Sequence, residues 1–257
     1  MDATKPVLQC VDVDLSYGSK RVLAEVNFEL YAGELAVIIG PNGAGKSTLL
    51  NSAAGLLKPS VGEILYEGRS IGGMTAKSLA ARRSLVSHRR GGGGGALTVC
   101  ETVGLGRNRN AGFLGRLSAE DKEIVERAMA DTGIAHLAGR YFGTLSDGER
   151  QKTLIALALA QQTPLMLLDE PTAFLDVAAR IDIMKLLRRL ADNGRCIAIS
   201  THDIAPAIVR ADKLIVVDPT SGAVSCGSRD AIIASGILDR VFADRNVCFN
   251  PSIMDFR

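Results

Sequence analysis

Three unbroken apolar runs, separated by amphipathic or polar segments, predict an α/β fold. Leu35 to Ile39, Leu165 to Leu168 and Cys196 to Ser200 are short and almost wholly apolar, the pattern of strands buried on both faces. Between the last two, Val177 to Leu190 places Ile181, Met184, Leu187 and Leu190 on one helical face. Strand-helix-strand repetition of this kind implies a parallel sheet with helices on both faces. An antiparallel β-subdomain is expected before that sheet and an α-helical subdomain inserted within it.

In chain order, Val7 to Leu30 alternates well enough for two or three strands, interrupted by the turn Tyr17-Gly18-Ser19-Lys20. After the first apolar run, Ser47 to Ala54 reads as a helix. From roughly His88 to Arg150 the character turns helical, with Ala119 to Ala130 charged and amphipathic and no comparable β-run. Five consecutive glycines, 91 to 95, precede it. Such a run is costly to order, which predicts a mobile hinge or loop near Ser87 to Ala96. The expected organisation is one domain over 1–257. Residues 1–87 and 151–257 form its core, and 88–150 form the helical insertion.

Composition narrows the function classes. A 47% hydrophobic chain of 257 residues has ample core, and a net charge of +2 argues against a dedicated nucleic-acid surface. Five widely spaced cysteines, Cys10, Cys100, Cys196, Cys226 and Cys248, form no C-x-x-C pair and read as small apolar core residues of a reduced cytosolic protein. The N-terminus carries no secretion pattern, and no apolar stretch approaches the roughly 20 residues that cross a bilayer. Any membrane role is expected to come through a partner.

Gly40-Pro41-Asn42-Gly43-Ala44-Gly45-Lys46-Ser47-Thr48 fits the G-x-x-x-x-G-K-[ST] phosphate loop in full, between a predicted strand and a predicted helix. Glycines let backbone N–H groups turn inward around phosphates, and the helix N-terminus faces the anion. Lys46 suits the β- and γ-phosphates, and the Ser47 hydroxyl suits Mg²⁺. The apolar run Leu165 to Leu168 ends in Asp169-Glu170, a strand that delivers two carboxylates to the place where phosphate charge must be balanced. Just upstream, Leu145-Ser146-Asp147-Gly148-Glu149 opens a helix on a capping-box pattern.

Together these residues resemble the nucleotide-binding subunits of ATP-binding-cassette (ABC) transporters over essentially the whole chain. The resemblance implies a P-loop NTPase core of RecA-like type that binds ATP with Mg²⁺. Asp169 then helps hold the metal, and Glu170 is the general base that polarises the attacking water. His202, in Ser200-Thr201-His202-Asp203, resembles the switch histidine that contacts the γ-phosphate. Asp176, in Ala173-Phe174-Leu175-Asp176, resembles the D-loop that crosses to the opposite subunit, and it also suits an N-cap. Tyr17 stands where the family stacks an aromatic ring on adenine. Ser146, Asp147, Gly148 and Glu149 correspond to the signature that binds a γ-phosphate held by the opposite subunit, so the resemblance implies a homodimer closing head to tail around two ATP molecules. It also implies permease subunits, a substrate-binding protein reached indirectly, and a place at the cytoplasmic face of the cell membrane.

Two signature positions depart from the commonest family sequence: Asp147 replaces a glycine and Glu149 a glutamine. Negative charge near bound phosphate is unfavourable, so these side chains should point away or be balanced by Arg150 or Lys152. His88 stands where the family usually has a glutamine that senses Mg²⁺ and couples to the membrane subunit. It takes over that contact, or another residue of the glycine-rich loop does, or it is simply solvated. Arg82, Arg83, Arg89 and Arg90 form a basic cluster beside it, suited to an acidic membrane-subunit helix, to lipid phosphates or, for most of these charges, to solvent.

Leu97 to Arg107, Ile237 to Phe242, Val247 to Asn250 and Met254 to Arg257 look like the subgroup that serves importers of iron-siderophore complexes, haem and cobalamin. The alternatives are an importer of another substrate, or a soluble ABC ATPase without a permease, such as one for iron–sulfur assembly.

Overall fold

The computed structural model describes residues 5–87, 96–110, 117–242, 249–250 and 255–256. The elements run β1 (Leu8–Tyr17), β2 (Lys20–Leu30), β3 (Leu35–Ile39), α1 (Lys46–Ala53), β4 (Val61–Tyr66), β5 (Arg69–Ser70), α2 (Ala76–Arg82) and β6 (Arg83–Ser87). Then come α3 (Val99–Gly104), α4 (Ala119–Asp131), α5 (Asp147–Ala160), β7 (Leu165–Asp169), α6 (Val177–Asp192) and β8 (Cys196–Ser200). The chain continues through α7 (Ile204–Ile208), β9 (Lys213–Val217), β10 (Val224–Ser228), α8 (Arg229–Ala234), α9 (Ile237–Phe242), β11 (Phe249–Asn250) and β12 (Asp255–Phe256).

Two sheets organise the core. One has six strands in the order β10-β9-β3-β8-β7-β6, parallel except for the antiparallel pair at β10. The other has four strands in the order β2-β1-β4-β5 and is antiparallel. Alternate residues of each parallel strand serve different cores, as the strand period of two requires. Leu35, Val37, Ile39, Met166, Leu168, Ile197 and Ile199 join the cluster that includes α5, α6 and the helical insertion. Ala36, Ile38, Leu165, Leu167, Cys196 and Ala198 join the cluster with α1 and the antiparallel sheet. One face of the parallel sheet is thus covered by helices, and the other by one helix together with a second sheet.

Several expectations change in detail. Val7 to Leu30 gives two strands, and β4 pairs with β1 on the side away from β2. Ser87 is no hinge residue: it ends the edge strand β6 opposite Asp169. On α6 Met184, Leu187 and Leu190 are buried as expected, Ile183, Leu186 and Ala191 join them, and Ile181 is only half-buried, so the apolar face is broader than the one predicted and shifted away from Ile181. Cys10 and Cys196 are buried, Cys226 is half-buried and Cys100 is exposed, which corrects its reading as a core residue. His88, Arg89, Arg90, the five glycines, Val247, Cys248 and Met254 lie outside the described residues.

In the insertion, α3, α4 and α5 each begin with a capping box, formed by Thr98 with Glu101, Ser118 with Asp121, and Ser146 with Glu149. Buried Arg107 ties this region together: Nε donates to Asp121 Oδ1 at 2.8 Å and Nη1 to the Ala160 carbonyl at 2.9 Å. The Arg107 hydrogen bond, then the one from Ser118, holds the Asp121 carboxyl below the usual carboxylate range. A buried charge is tolerated when it is paired and bonded in this way.

Candidate functional site

The C-terminal ends of β3, β7 and β8 are neighbours, because β8 pairs with both of the others. Open α/β sheets hold their ligands at such strand ends. Directly after β3 the chain closes into the phosphate loop. A Cβ at Gly40 would stand 2.6 Å from the Val217 carbonyl oxygen, so no side chain fits there, and Gly45 caps α1 with φ +109°. Lys46 is 6% exposed, and its ammonium donates to the carbonyls of Gly40 at 2.7 Å and Pro41 at 3.0 Å.

Register then brings the acidic pair in. Asp169 lies opposite Ser200, and both hydroxyls near it donate to the same oxygen: Ser200 Oγ to Asp169 Oδ1 at 2.6 Å and Ser47 Oγ at 2.9 Å. Glu170 follows with φ +50°, a left-handed conformation that costs a glutamate on the order of 1 kcal/mol or more. Its N–H donates to Ser200, at 3.0 Å to Oγ and 3.2 Å to the carbonyl oxygen, which holds the strained turn. His202 Nδ1 stands 3.5 Å from Glu170 Oε2, with both side chains partly open to solvent.

Tyr17, Asn42, Gly43, Ala44, Gly45, Lys46, Ser47, Thr48, Glu170 and His202 line one cleft of about 910 Å³. Gly40 and Pro41 contribute the carbonyls that hold Lys46, and Asp169 joins through Ser47. Ser146, Asp147, Gly148, Glu149 and Asp176 do not line it. Asp176 caps α6 by accepting from Ala179 N–H at 2.8 Å.

Sequence reading missed Lys20, Arg21, Val22 and Pro219 on the cleft wall, and missed the role of Ser200. Lys20 to Val22 follow Tyr17 immediately and were findable by adjacency. Pro219 sits in the turn after β9, a strand not recognised. That turn is fastened to β2, with Ala24 N–H donating to the Gly222 carbonyl at 3.0 Å and Ala24 bridging Ala223. For Ser200 the available signal was a polar residue closing an apolar run next to the acidic pair.

The sequence model described as ABC transporter matches residues 23–173, over half the chain and spanning the glycine-rich loop, Leu145 to Glu149 and β7. The chain belongs to the ABC transporter family. It is 37% identical to the ferric enterobactin transport ATP-binding protein of Escherichia coli over 90% of this chain and 85% of that one. It is also 37% identical to the hemin import ATP-binding protein of Nocardia farcinica, over 87% and 76% of the two chains. Among solved structures, an inward-facing ABC transporter of presumed metal-chelate type superposes with a TM-score of 0.79 at 27% identity, covering 93% of this chain and 89% of that chain. As an ABC ATPase domain, the chain binds nucleotide and hydrolyses ATP.

Ser146, the N-cap of α5, accepts from Glu149 N–H at 3.3 Å, and Glu149 Oε2 accepts from Ser146 N–H at 2.8 Å. The two acidic departures are balanced locally. Asp147 pairs with Arg150 at 3.2 Å, as expected, whereas Glu149 pairs with Arg140 at 3.4 Å and Lys152 reaches Asp182 at 3.7 Å instead. Hydrogen bonds from the Ser146 N–H and hydroxyl hold the Glu149 carboxyl below its usual range.

A depressed carboxyl stabilises the fold above its ordinary pKa, and that contribution is lost as pH falls through the folded value. Glu149→Gln is therefore expected to lower stability by less than about 1 kcal/mol at neutral pH. Urea denaturation across a pH series should find this difference vanishing in acid, and a difference that persists there would refute the charge-based account. Ser200→Ala removes the shared partner of Asp169 and Glu170. If these two carboxylates take part in hydrolysis, steady-state assays should find kcat lowered on the order of 10-fold with ATP affinity nearly unchanged.

Proposed function

We propose that the chain is the ATP-hydrolysing subunit of an ABC importer for metal chelates of the iron-siderophore, haem or cobalamin type. The observation that carries the enzymatic part is the convergence of Lys46, Ser47, Asp169, Glu170 and His202 at three adjacent strand ends. The chelate class is supported by the ferric enterobactin and hemin systems that the two relatives serve, and by the metal-chelate type of the similar transporter.

In this reading the glycine-rich backbone and Lys46 bind the β- and γ-phosphates, with Tyr17 stacked on adenine. Glu170 accepts the proton of the attacking water, and His202 contacts the γ-phosphate. Mg²⁺ suits the site, since Ser47 and Asp169 offer hard oxygen donors and the triphosphate and water supply the rest. Bound there, the ion would neutralise charge on the phosphate oxygens.

Two subunits meet head to tail, so that Ser146 and Gly148 at the N-terminus of α5 face the partner's γ-phosphate. Support comes from the signature lying off its own cleft and from exposed apolar side chains beside Asp176, with Phe174 79% and Val177 71% exposed. Residues 88–150 act as the helical subdomain that meets the permease, with 1–87 and 151–257 as the core. No helix among the described residues is long and apolar enough to cross a membrane, and association with the cytoplasmic face runs through the permease.

Glu170→Gln should retain ATP binding yet lose turnover by on the order of 10²-fold or more, as for removal of a general base. Lys46→Ala should instead weaken binding, measurable by calorimetry. Wild-type turnover in the Gln variant would remove Glu170 from the chemistry. Purification from gently solubilised membranes should yield a complex with a polytopic protein, and its consistent absence would favour a soluble ABC ATPase.

A further inference from the structure

We propose that Arg180 is a positioning residue for ATP hydrolysis, joining the turn that carries Asp176 to the loop that carries His202. The inference rests on the assignment of Glu170 and His202 to the reaction.

Arg180 lies in the first turn of α6, its N–H donating to the Asp176 carbonyl at 3.0 Å. Its guanidinium works in two directions. Nε donates to the Leu175 carbonyl at 2.8 Å, within the turn before the helix, and Nη1 stands 3.6 Å from Asp203 Oδ2. Asp203 directly follows His202. Its Oδ2 is hidden from solvent and has no hydrogen-bond partner among the described residues, so the nearby cation is what compensates that charge. At 3.6 Å the pair is slightly longer than a hydrogen bond, and a small rotation of either segment changes it steeply.

A second tie links the same two segments. Asp203 N–H donates to Thr201 Oγ1 at 3.0 Å, and Thr201 Oγ1 lies 3.5 Å from Thr172 Oγ1. His202 is thus flanked by Thr201, hydrogen-bonded to Thr172, and by Asp203, ion-paired with Arg180. Its imidazole, 3.5 Å from Glu170, takes its aim from that frame. The first turn of α6 also touches the start of α5: a Cβ at Gly148 would be 3.3 Å from Ala179 Cβ. A guanidinium suits the task because its planar fork serves two acceptors at once.

The test is steady-state ATPase kinetics with ATP affinity by calorimetry, on Arg180→Ala, Arg180→Lys, Asp203→Asn and the double variant Arg180→Ala with Asp203→Asn. Thermal midpoints check folding, and Glu170→Gln is measured alongside. Arg180→Ala should lower kcat on the order of 10-fold and leave ATP affinity within about twofold, because misorientation affects the reacting groups and not the phosphate loop. Lysine keeps the charge but lacks the planar fork, so it should recover only part of the rate lost in Arg180→Ala. The double variant should be no slower than the slower single one, since both act through one contact.

Unchanged kcat in Arg180→Ala, affinity that falls in step with kcat, or multiplicative losses in the double variant would each overturn the proposal. Should Arg180→Ala not fold, Asp203→Asn, which keeps the side chain's size, decides on the same split between kcat and affinity. Turnover lost in Glu170→Gln but normal in Arg180→Ala refutes this inference alone. Normal turnover in Glu170→Gln refutes the underlying assignment, and this inference with it.

Discussion

Everything at the cleft depends on the register that sets Asp169 opposite Ser200. A slip of one residue would turn the whole of β7 over, placing Asp169 on the opposite face and Leu168 at the strand end. Burial on both faces forbids that slip. Alternate residues of β7 and β8 are committed to two separate cores, and a slip would exchange the two sets, setting each against neighbours packed around the other. The precision of the polar site is thus inherited from apolar packing on either side of it.

Within that frame, two consecutive carboxylates acquire different duties. In an extended strand, successive side chains face opposite ways. The left-handed backbone of Glu170 ends the strand, so that Asp169 is engaged by Ser47 and Ser200 while Glu170 opens into the cleft beside His202. Ser200 serves both, donating to one residue and accepting from the backbone of the next. The positive side is equally constrained: Lys46 is buried, and its ammonium is anchored on two carbonyls of the loop that carries it.

Much of this was legible in the chain because the loudest signals were local. The phosphate loop, the strand before it and the capping box at Ser146 each depend on residues within a few positions of one another. Asp176 declared its capping role for the same reason. What the sequence concealed was relational. Ser200 matters because β8 lies between β3 and β7, an order no single segment encodes. β9 was overlooked although Leu214 to Val217 is apolar, and with it went Pro219 on the cleft wall. The face of α6 was legible only in part because its neighbours, α5, α7, β3 and β8, decide which side is buried. Cys100 misled by type, since composition favours burial of cysteine but position on α3 overrides it.

The fastening of Ala24 to Gly222 and Ala223 joins the antiparallel sheet to the far edge of the parallel one. Tyr17 and Val22 come from the first sheet, whereas the phosphate loop, Glu170 and His202 hang from strand ends of the second. A nucleotide filling this cleft would touch both layers, and its binding free energy would then add to the cohesion between them.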